Sequence, residues 1–390
     1  MRCSIKLQDR IFGFPVYMLG VLVDRLRRMN NPSKLFFFFT DYHTGGAEQV
    51  HVDILKLFAK ERPWVMIVFK SKNSFHKAAM EQCAELFEVG KYITNRNRFF
   101  VKNFFFGYYT SLLNRHKGAV VLSSMNNFIA DISPQLRHVY RMDLIHCFLG
   151  IKPKDMIRPA TFLGKRVLVS RYLQEELFTL YREWGVEAKY QQRTKVIYNA
   201  VPVPESLPEK DYSGTLRVVF IGRNSPEKRY HLYQQVAESC KKQAMKLEFV
   251  SIGNFSSTNE ISCLGEMTEK EAIYQVLHSA HLLVLCSTTE GFGLVVAEAM
   301  ACGVVPIATA VGGVPELISD GVTGNLVHAT DEPTIVEECV RLLSQYYYNP
   351  QSLQAMSRAG YAKVKQEFNQ DVFRNSYLQL IAEARERQAT

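Results

Sequence analysis

Nowhere in these 390 residues does an apolar run reach the roughly 18 that a membrane-spanning helix needs. The best candidate, Ile11 to Val23, is 13 residues long and is broken by Gly13, Pro15 and Gly20. It has a basic flank, but no small-residue cleavage site follows, so it is expected to lie on a surface or pack on the first domain rather than act as a signal peptide. Eight cysteines form no Cys-x-x-Cys pair and ten histidines no His-Glu-x-x-His. That argues against structural zinc and for reduced thiols in a cytoplasmic compartment. Neither half opens with a strand followed by a full Gly-x-Gly-x-x-Gly, which counts against a nicotinamide dehydrogenase.

What is present is an ordinary soluble composition, 47% hydrophobic and 22% charged, long enough for two domains with full cores. Charge is divided unevenly. Residues 1 to 200 carry 31 Lys and Arg against 16 Asp and Glu, whereas residues 201 to 390 carry 16 against 22. The amino half is therefore expected to meet something anionic: nucleic acid, an anionic membrane surface or a phosphate-bearing acceptor. No nucleic-acid motif accompanies the charge, so nucleic acid is not expected as a partner. A merely soluble basic surface is the bland alternative.

The most informative stretch is Glu290-Gly-Phe-Gly-Leu-Val-Val-Ala-Glu298-Ala-Met-Ala-Cys-Gly303. The apolar run before it, up to Cys286, is too short for a helix and reads as a buried parallel strand, with Ser287 to Gly293 as the loop at its carboxyl end. A helix follows to 302, with Gly303 as a left-handed cap. That helix is apolar except at Glu298, and a carboxylate in a packed layer needs a partner. Gly291 and Gly293 let the backbone approach a ligand at the helix start, where free N–H groups favour a phosphate. Glu290 stands at the strand's carboxyl end, the rim at which open α/β sheets bind ligands.

The rest of the chain repeats the pattern. Leu35-Phe-Phe-Phe-Phe-Thr40 is a strand, and the turn Asp41-Tyr-His-Thr-Gly45-Gly46-Ala-Glu48 leads into a helix; the glycine pair permits positive φ and close approach of a phosphate or sugar. Strands are expected at 65–69, 118–122, 139–145 and 166–170, with His146 at the end of one and Ser170 as a helix N-cap. Between Phe99 and Tyr109, seven of eleven residues are aromatic, interleaved with cations from Arg96 onward. A helix in a lipid interface and buried aromatic packing explain them equally well. Pro202, Pro204 and Pro208 are expected to stiffen a linker. A second domain then opens with the strand 216–221 and the loop Gly222-Arg223-Asn-Ser-Pro-Glu-Lys228-Arg229, whose forked and point-charge cations suit a diphosphate. Further strands are expected at 246–253 and 261–265, and helices at about 267–279, 333–346, 350–367 and 371–387.

The stretch from Ser287 to Val327, two glutamates with seven residues between them and then Gly312-Gly-Val-Pro-Glu-Leu-Ile and Asp320-Gly-Val-Thr-Gly-Asn-Leu-Val, resembles the donor-site signature of family 4 (group 1) glycosyltransferases. Gly45-Gly46-Ala-Glu48 and the Gly222-Arg223 loop with its later Lys228 are similar to the same family; Ala200 and Arg229 stand where it usually has glycine. The resemblance implies an α/β chain of two facing doubly wound Rossmann-like domains, the GT-B architecture: an acceptor domain over 1–200, a linker over 201–214, a nucleotide-sugar domain over 215–368, and a final helix over 369–390 crossing back to the first domain. It implies metal-independent, retaining transfer from a nucleotide diphosphate sugar, the donor being a substrate and no cofactor being required. No Asp-x-Asp occurs to chelate a metal, so cations and backbone dipoles must hold the leaving diphosphate.

On that reading Arg223 and Lys228 hold the diphosphate with the backbone of Gly293, Leu294 and Val295. Glu298 takes the ribose, Glu290 the transferred sugar, and Leu264 lines the base pocket through its backbone. Gly222, Gly291 and Phe292 complete the donor loops, while His146, Gly45 and Gly46 contribute from the first domain. The acceptor is expected to be a growing surface glycan, a polysaccharide or lipopolysaccharide on a lipid carrier, at the inner face of the membrane. Competing readings are a silent sugar-nucleotide or glycan binding protein on the same scaffold, and a nucleotide-sugar epimerase or phosphorylase.

Overall fold

A computed structural model describes residues 13–93, 98–124 and 126–389. Ile11 and Phe12 of the first apolar segment and Arg96 of the aromatic one lie outside the described residues. The chain divides into two units. One runs up to Val169 and takes in Gln174–Ile197 and the chain from Arg374 on; the other holds Ser170–Leu173 and Tyr198–Phe373.

The first unit is built on seven strands: β1 (Leu35–Phe39), β2 (Trp64–Ile67), β3 (Glu85–Glu88), β4 (Ala119–Ser124), β5 (Val139–Ile145), β6 (Lys165–Leu168) and β7 (Thr194–Val196). They pair in parallel in the order β3-β2-β1-β4-β5-β6-β7. Every residue of β1 is buried, as a strand covered by helices on both faces must be. Phe38 packs edge-on to Tyr109 and stacks on Phe128, so much of the aromatic segment is core. Burying each such ring is worth roughly 1.5–3 kcal/mol.

The second unit repeats the plan with β8 (Arg217–Ile221), β9 (Glu248–Ile252), β10 (Ile261–Cys263), β11 (Leu282–Leu285), β12 (Val305–Thr309) and β13 (Asn325–Val327), all parallel, in the order β10-β9-β8-β11-β12-β13. In both units the winding reverses beside the first strand, between β1 and β4 and between β8 and β11. Ligands of open α/β sheets sit outside the carboxyl ends of strands at such a reversal. The helix Leu294–Ala301 closes with a left-handed Gly303, φ 71°, whose N–H reaches Met300 O while Val304 N–H reaches Ala299 O. These two bonds satisfy carbonyls the helix end would otherwise leave bare.

Two expectations change. Strands β3 and β13 were not anticipated: β3 reads Glu-Leu-Phe-Glu and lies at a sheet edge, where only one side must be apolar. The proline stretch 201–214 is not a free spacer but lies on the second unit. Tyr361 donates to Pro204 O at 2.7 Å, Lys365 to Glu205 O at 2.6 Å, and Lys210 to the carbonyls of Leu277, His278 and Ala280 at 2.6–3.0 Å, capping the end of the helix Lys270–Ser279. The final helix is Gln370–Ala389; from Arg374 on it is grouped with the first unit, and Tyr377, Leu380, Ile381 and Ala384 are buried. Arg385 pairs with Glu61 there.

The apolar segment near the amino end forms the helix Phe14–Arg27. It runs against the helix Arg98–Arg115 at backbone contact: a Cβ on Gly20 would lie 2.0 Å from Phe104 O, and one on Gly107 1.8 Å from Tyr17 O. Asp24, fully buried, is held by Arg115 at 2.7 Å. Among the described residues no helix is long and apolar enough to cross a membrane.

Candidate functional site

Two loops meet at the winding reversal of the second unit, residues 222–229 after β8 and 286–293 after β11. Sequence-distant hydrogen bonds stitch them together. Thr288 N–H donates to Glu227 O at 2.8 Å, and the Arg229 guanidinium donates to the carbonyls of Cys286 at 2.6 Å and Ser287 at 3.1 Å. Arg229 occupies the left-handed region, φ 45° and ψ 49°, which explains why glycine suits this position. Its two carbonyl contacts offset the strain a side chain brings there.

This stitching sets Lys228 against Glu290. The ammonium lies 2.5 Å from Glu290 Oε1, which also accepts from the Ser287 hydroxyl at 2.7 Å; the two side chains are only 17% and 11% exposed. The pair was expected as two separate contacts, one for phosphate and one for sugar. In the free protein they satisfy each other, because a carboxylate so shielded from water needs a cation. Arg223, by contrast, reaches outward, 67% exposed, with Glu227 3.5 Å away. Burial alone would raise Glu227, but the Ser225 hydroxyl at 2.7 Å and the nearby Arg223 and Lys228 hold it below the usual carboxylate range. Glu227 was not picked out from the sequence; a carboxylate beside a presumed anion site carries no motif signal.

Gly293 is the N-cap of the helix Leu294–Ala301, at φ 96°, a conformation that side chains rarely adopt. The first N–H groups of that helix, from Leu294 and Val295 on, therefore point outward at the positive end of the macrodipole. Glu298 is half-buried on the same helix. A third loop, after β12, backs the motif: Gly313 N–H donates to Glu290 O at 3.1 Å, and a Cβ on Gly312 would fall 1.7 Å from that same oxygen. The Phe292 ring does not face a ligand. It is 3% exposed and packs between Tyr198 and Phe368, so only its backbone can take part. Leu264 presents an exposed side chain, and its N–H is already spent on Ser251 O. Gly222 closes on Gly253, whose Cβ would lie 2.2 Å from Gly222 O.

In the first unit the Gly45-Gly46 turn departs from expectation. Gly45 is extended, φ −179°, and no positive φ is used at either glycine. A Cβ at 45 would meet the Glu48 carboxylate, Oε2 at 2.1 Å, so a side chain there would have to displace that carboxylate. Asp41, His43 and Glu48 bring ligand-type atoms within 4.8 Å of one another on this turn, with His43 Nδ1 hydrogen-bonded to Asp41. His146 is buried at the end of β5, its Nε2 3.2 Å from His51 Nε2, which in turn lies 2.8 Å from the Ser124 hydroxyl at the end of β4. His51 stacks on Phe39. Burial pushes His146 down to about 4 and, with the neighbouring His146 and His76, pushes His51 well below its ordinary value. Both rings are neutral near pH 7, suited to passing hydrogen bonds rather than charge. His51 escaped the sequence reading because its partners lie 73 and 95 residues away.

Residues 208–363, which contain all three loops, match the family described as "Glycosyl transferases group 1". Over these residues, about two fifths of the chain, the second unit is similar to the group 1 glycosyltransferases. An N-acetyl-alpha-D-glucosaminyl L-malate synthase of Bacillus anthracis is 41% identical over 75 residues, 19% of this chain and 20% of that protein. An uncharacterised glycosyltransferase of Methanocaldococcus jannaschii is 25% identical over 221 residues, 54% of this chain and 59% of that one. The chain thus spans from a fifth to about three fifths of these curated relatives. Among solved structures, Anabaena HepE in complex with UDP-glucose superposes with a TM-score of 0.70 at 16% identity, covering 90% of this chain and 99% of HepE. That likeness establishes the two-sheet GT-B fold of the glycosyltransferases. Within the matched residues, Arg223 and Lys228 come from one loop and Glu290 and Gly293 from the other at one winding reversal, whereas His146 and Gly45 belong to the other unit.

Proposed function

We propose that the chain transfers a sugar from a nucleotide diphosphate sugar to an acceptor hydroxyl, with retention of configuration and without a metal. The observation that carries this reading is the Lys228–Glu290–Ser287 cluster at the winding reversal, beside the outward Arg223 and the start of the helix Leu294–Ala301. The Lys228 ammonium has three N–H donors and spends one on Glu290, leaving two for phosphate oxygens. Glu290 keeps lone pairs for hydroxyls of the transferred sugar, close to where positive charge develops as the glycosidic bond breaks. Arg223 closes on the diphosphate when the donor arrives, and the helix N–H groups take its remaining oxygens. Glu298 accepts from the ribose hydroxyls. As the anomeric carbon–oxygen bond to the diphosphate breaks, the acceptor oxygen bonds the same face of that carbon and its proton passes to the leaving phosphate.

HepE is crystallised with UDP-glucose, which makes uridine nucleotides the first donors to try. The acceptor side is assigned to the first unit, with the neutral His146 and the Gly45-Gly46 turn hydrogen-bonding sugar hydroxyls. The excess of Lys and Arg in residues 1–200 fits an acceptor glycan borne on an anionic membrane, a polysaccharide or lipopolysaccharide under construction, with the protein in peripheral contact at its inner face.

The test is thermal unfolding of wild type and Arg223→Ala against UDP, GDP, ADP and their sugar conjugates. A ligand at about 100 times its dissociation constant adds roughly 2.7 kcal/mol, a shift of several degrees. One nucleotide should stabilise wild type and do so less in the variant, whose turnover should fall by about 10² to 10³. Equal shifts in both proteins would remove Arg223 from the site. Release of nucleoside diphosphate only when acceptor is present separates transfer from epimerisation.

A further inference from the structure

The helix Phe14–Arg27 presents an apolar face that none of the described residues covers. Phe14 is 60% exposed, Met18 44%, Leu19 52%, Leu22 52% and Leu26 75%, spaced three and four apart so that they form one continuous stripe. The opposite face is fixed to the protein by the Gly20 and Gly107 crossing and by the Asp24–Arg115 pair. A helix so tightly held on one side and so apolar on the other is not waiting to pack inward. Contiguous exposed apolar surface of this kind marks a contact with another protein or a membrane.

Two observations decide the occupant. First, Arg25, Arg27 and Arg28 are all exposed at the carboxyl end of the stripe. Tyr92, Phe99 and Phe100 are exposed on neighbouring segments, at 59%, 37% and 48%. Basic residues flanking an apolar face with rings beside it complement an anionic headgroup layer. Second, a cavity of about 570 Å³ lies behind the same helix, lined by Val23, Trp64, Phe105 and Tyr108 with Arg27 and Lys91 also on its wall. Its volume suits a small ligand; Glu88 also lines it and pairs with Lys91, so Arg27 is the cation left for a phosphate at the end of a hydrocarbon chain on the apolar wall.

We infer that the first unit docks on an anionic lipid bilayer through the stripe from Phe14 to Leu26, and that the cavity behind it admits one hydrocarbon chain of a phosphate-bearing lipid. This deepens the membrane contact proposed above and rests on it. The test uses no sugar nucleotide, so its failure leaves the transfer chemistry untouched.

The full chain is sedimented with vesicles of phosphatidylglycerol and phosphatidylcholine, and with phosphatidylcholine alone, at low and high salt. Wild type should bind the anionic vesicles, lose binding as salt rises, and bind the neutral vesicles weakly. Leu22→Glu with Leu26→Glu should weaken anionic binding at least tenfold; both positions are exposed, so the thermal midpoint should not move. Chain entry is read from fluorescence. Trp64 lines the cavity and Trp184 is the other tryptophan. In a Trp184→Phe background, lipids brominated on their acyl chains should quench Trp64, and lipids brominated only on the headgroup should not. Absence of binding to anionic vesicles, or binding that the double variant leaves unchanged, overturns the docking surface. A concentration-dependent dimer dissolved by the double variant, with no vesicle binding, also overturns it by making a second copy the occupant. An unquenched Trp64 on vesicle-bound protein overturns the cavity assignment.

Discussion

Replacing Lys228 with methionine tests whether the second unit depends on the Lys228–Glu290 pair before any ligand binds. The substitution keeps the aliphatic stem and leaves the Glu290 carboxylate, 11% exposed, hydrogen-bonded to the Ser287 hydroxyl at 2.7 Å without its cation. Stranding a fully buried charge costs about 3–5 kcal/mol. With both side chains still reached by some water, the expectation is lower, about 2 kcal/mol. For a unit of this size that lowers the midpoint by roughly 4–8 °C. Glu290→Gln added to Lys228→Met removes the stranded charge and should recover more than half of the loss, the mark of a coupled pair in a double-mutant cycle. The assay is thermal unfolding without nucleotide, followed by a probe of the second unit. If Lys228→Met melts within a degree of wild type, or the double variant is no better than the single one, the pair contributes nothing to the resting fold and the two side chains must be read as independent ligand contacts.

Arg229→Gly relieves a left-handed residue but gives up two charge-assisted bonds to Cys286 O and Ser287 O, so a net loss of about 1–2 kcal/mol is expected by denaturant unfolding; a gain in stability would mean that strain outweighs the stitching. His146 has a folded pKa near 4, below its unfolded value of about 6.5, so its contribution is full above pH 6.5 and is lost as pH falls toward 4. At pH 5.5 the loss is about 1.4 kcal/mol, and His146→Gln should flatten the acid limb of the melting curve between pH 7 and 5. Gly107→Leu would drive a side chain into Tyr17 O and should unseat the helix Phe14–Arg27, measurable as early proteolysis of that segment. Lys210→Met leaves three carbonyls of the helix Lys270–Ser279 and its end without their donor and should cost about 2 kcal/mol on unfolding.

Much of this was legible because parallel sheets force their central strands to be apolar throughout. Leu35-Phe-Phe-Phe-Phe and Leu282-Leu-Val-Leu admit no other reading, and the loop behind each is then located by arithmetic. The edge strand Glu85–Glu88 was hidden, since one side of it faces water and its charges mask the pattern. Gly303 announced its conformation because glycine is the residue that a φ of 71° selects; Gly293, at φ 96°, was read only as room for a ligand. Gly45 suggested a left-handed turn, but its backbone is extended, a conformation any residue adopts. Pairings were the least legible. Lys228 and Glu290 are 62 residues apart, and two sites that each look like ligand contacts carry no sign that they hold each other. His51 and Ser124 were missed for the same reason, and so was the role of Arg229, whose carbonyl partners belong to the backbone and leave no trace in side-chain identity.

The final helix carries a consequence for how the protein is made. From Arg374 onward the chain belongs to the first unit, where Tyr377, Leu380, Ile381 and Ala384 are buried and Arg385 reaches Glu61. During synthesis the first sheet therefore emerges from the ribosome with one of its walls missing, and stays so while the whole of Tyr198–Phe373 is translated and can fold. The unit made first is the one completed last. A nascent chain arrested near Phe373 should hold a closed second unit beside an open first one, and that open face is where a chaperone would find it.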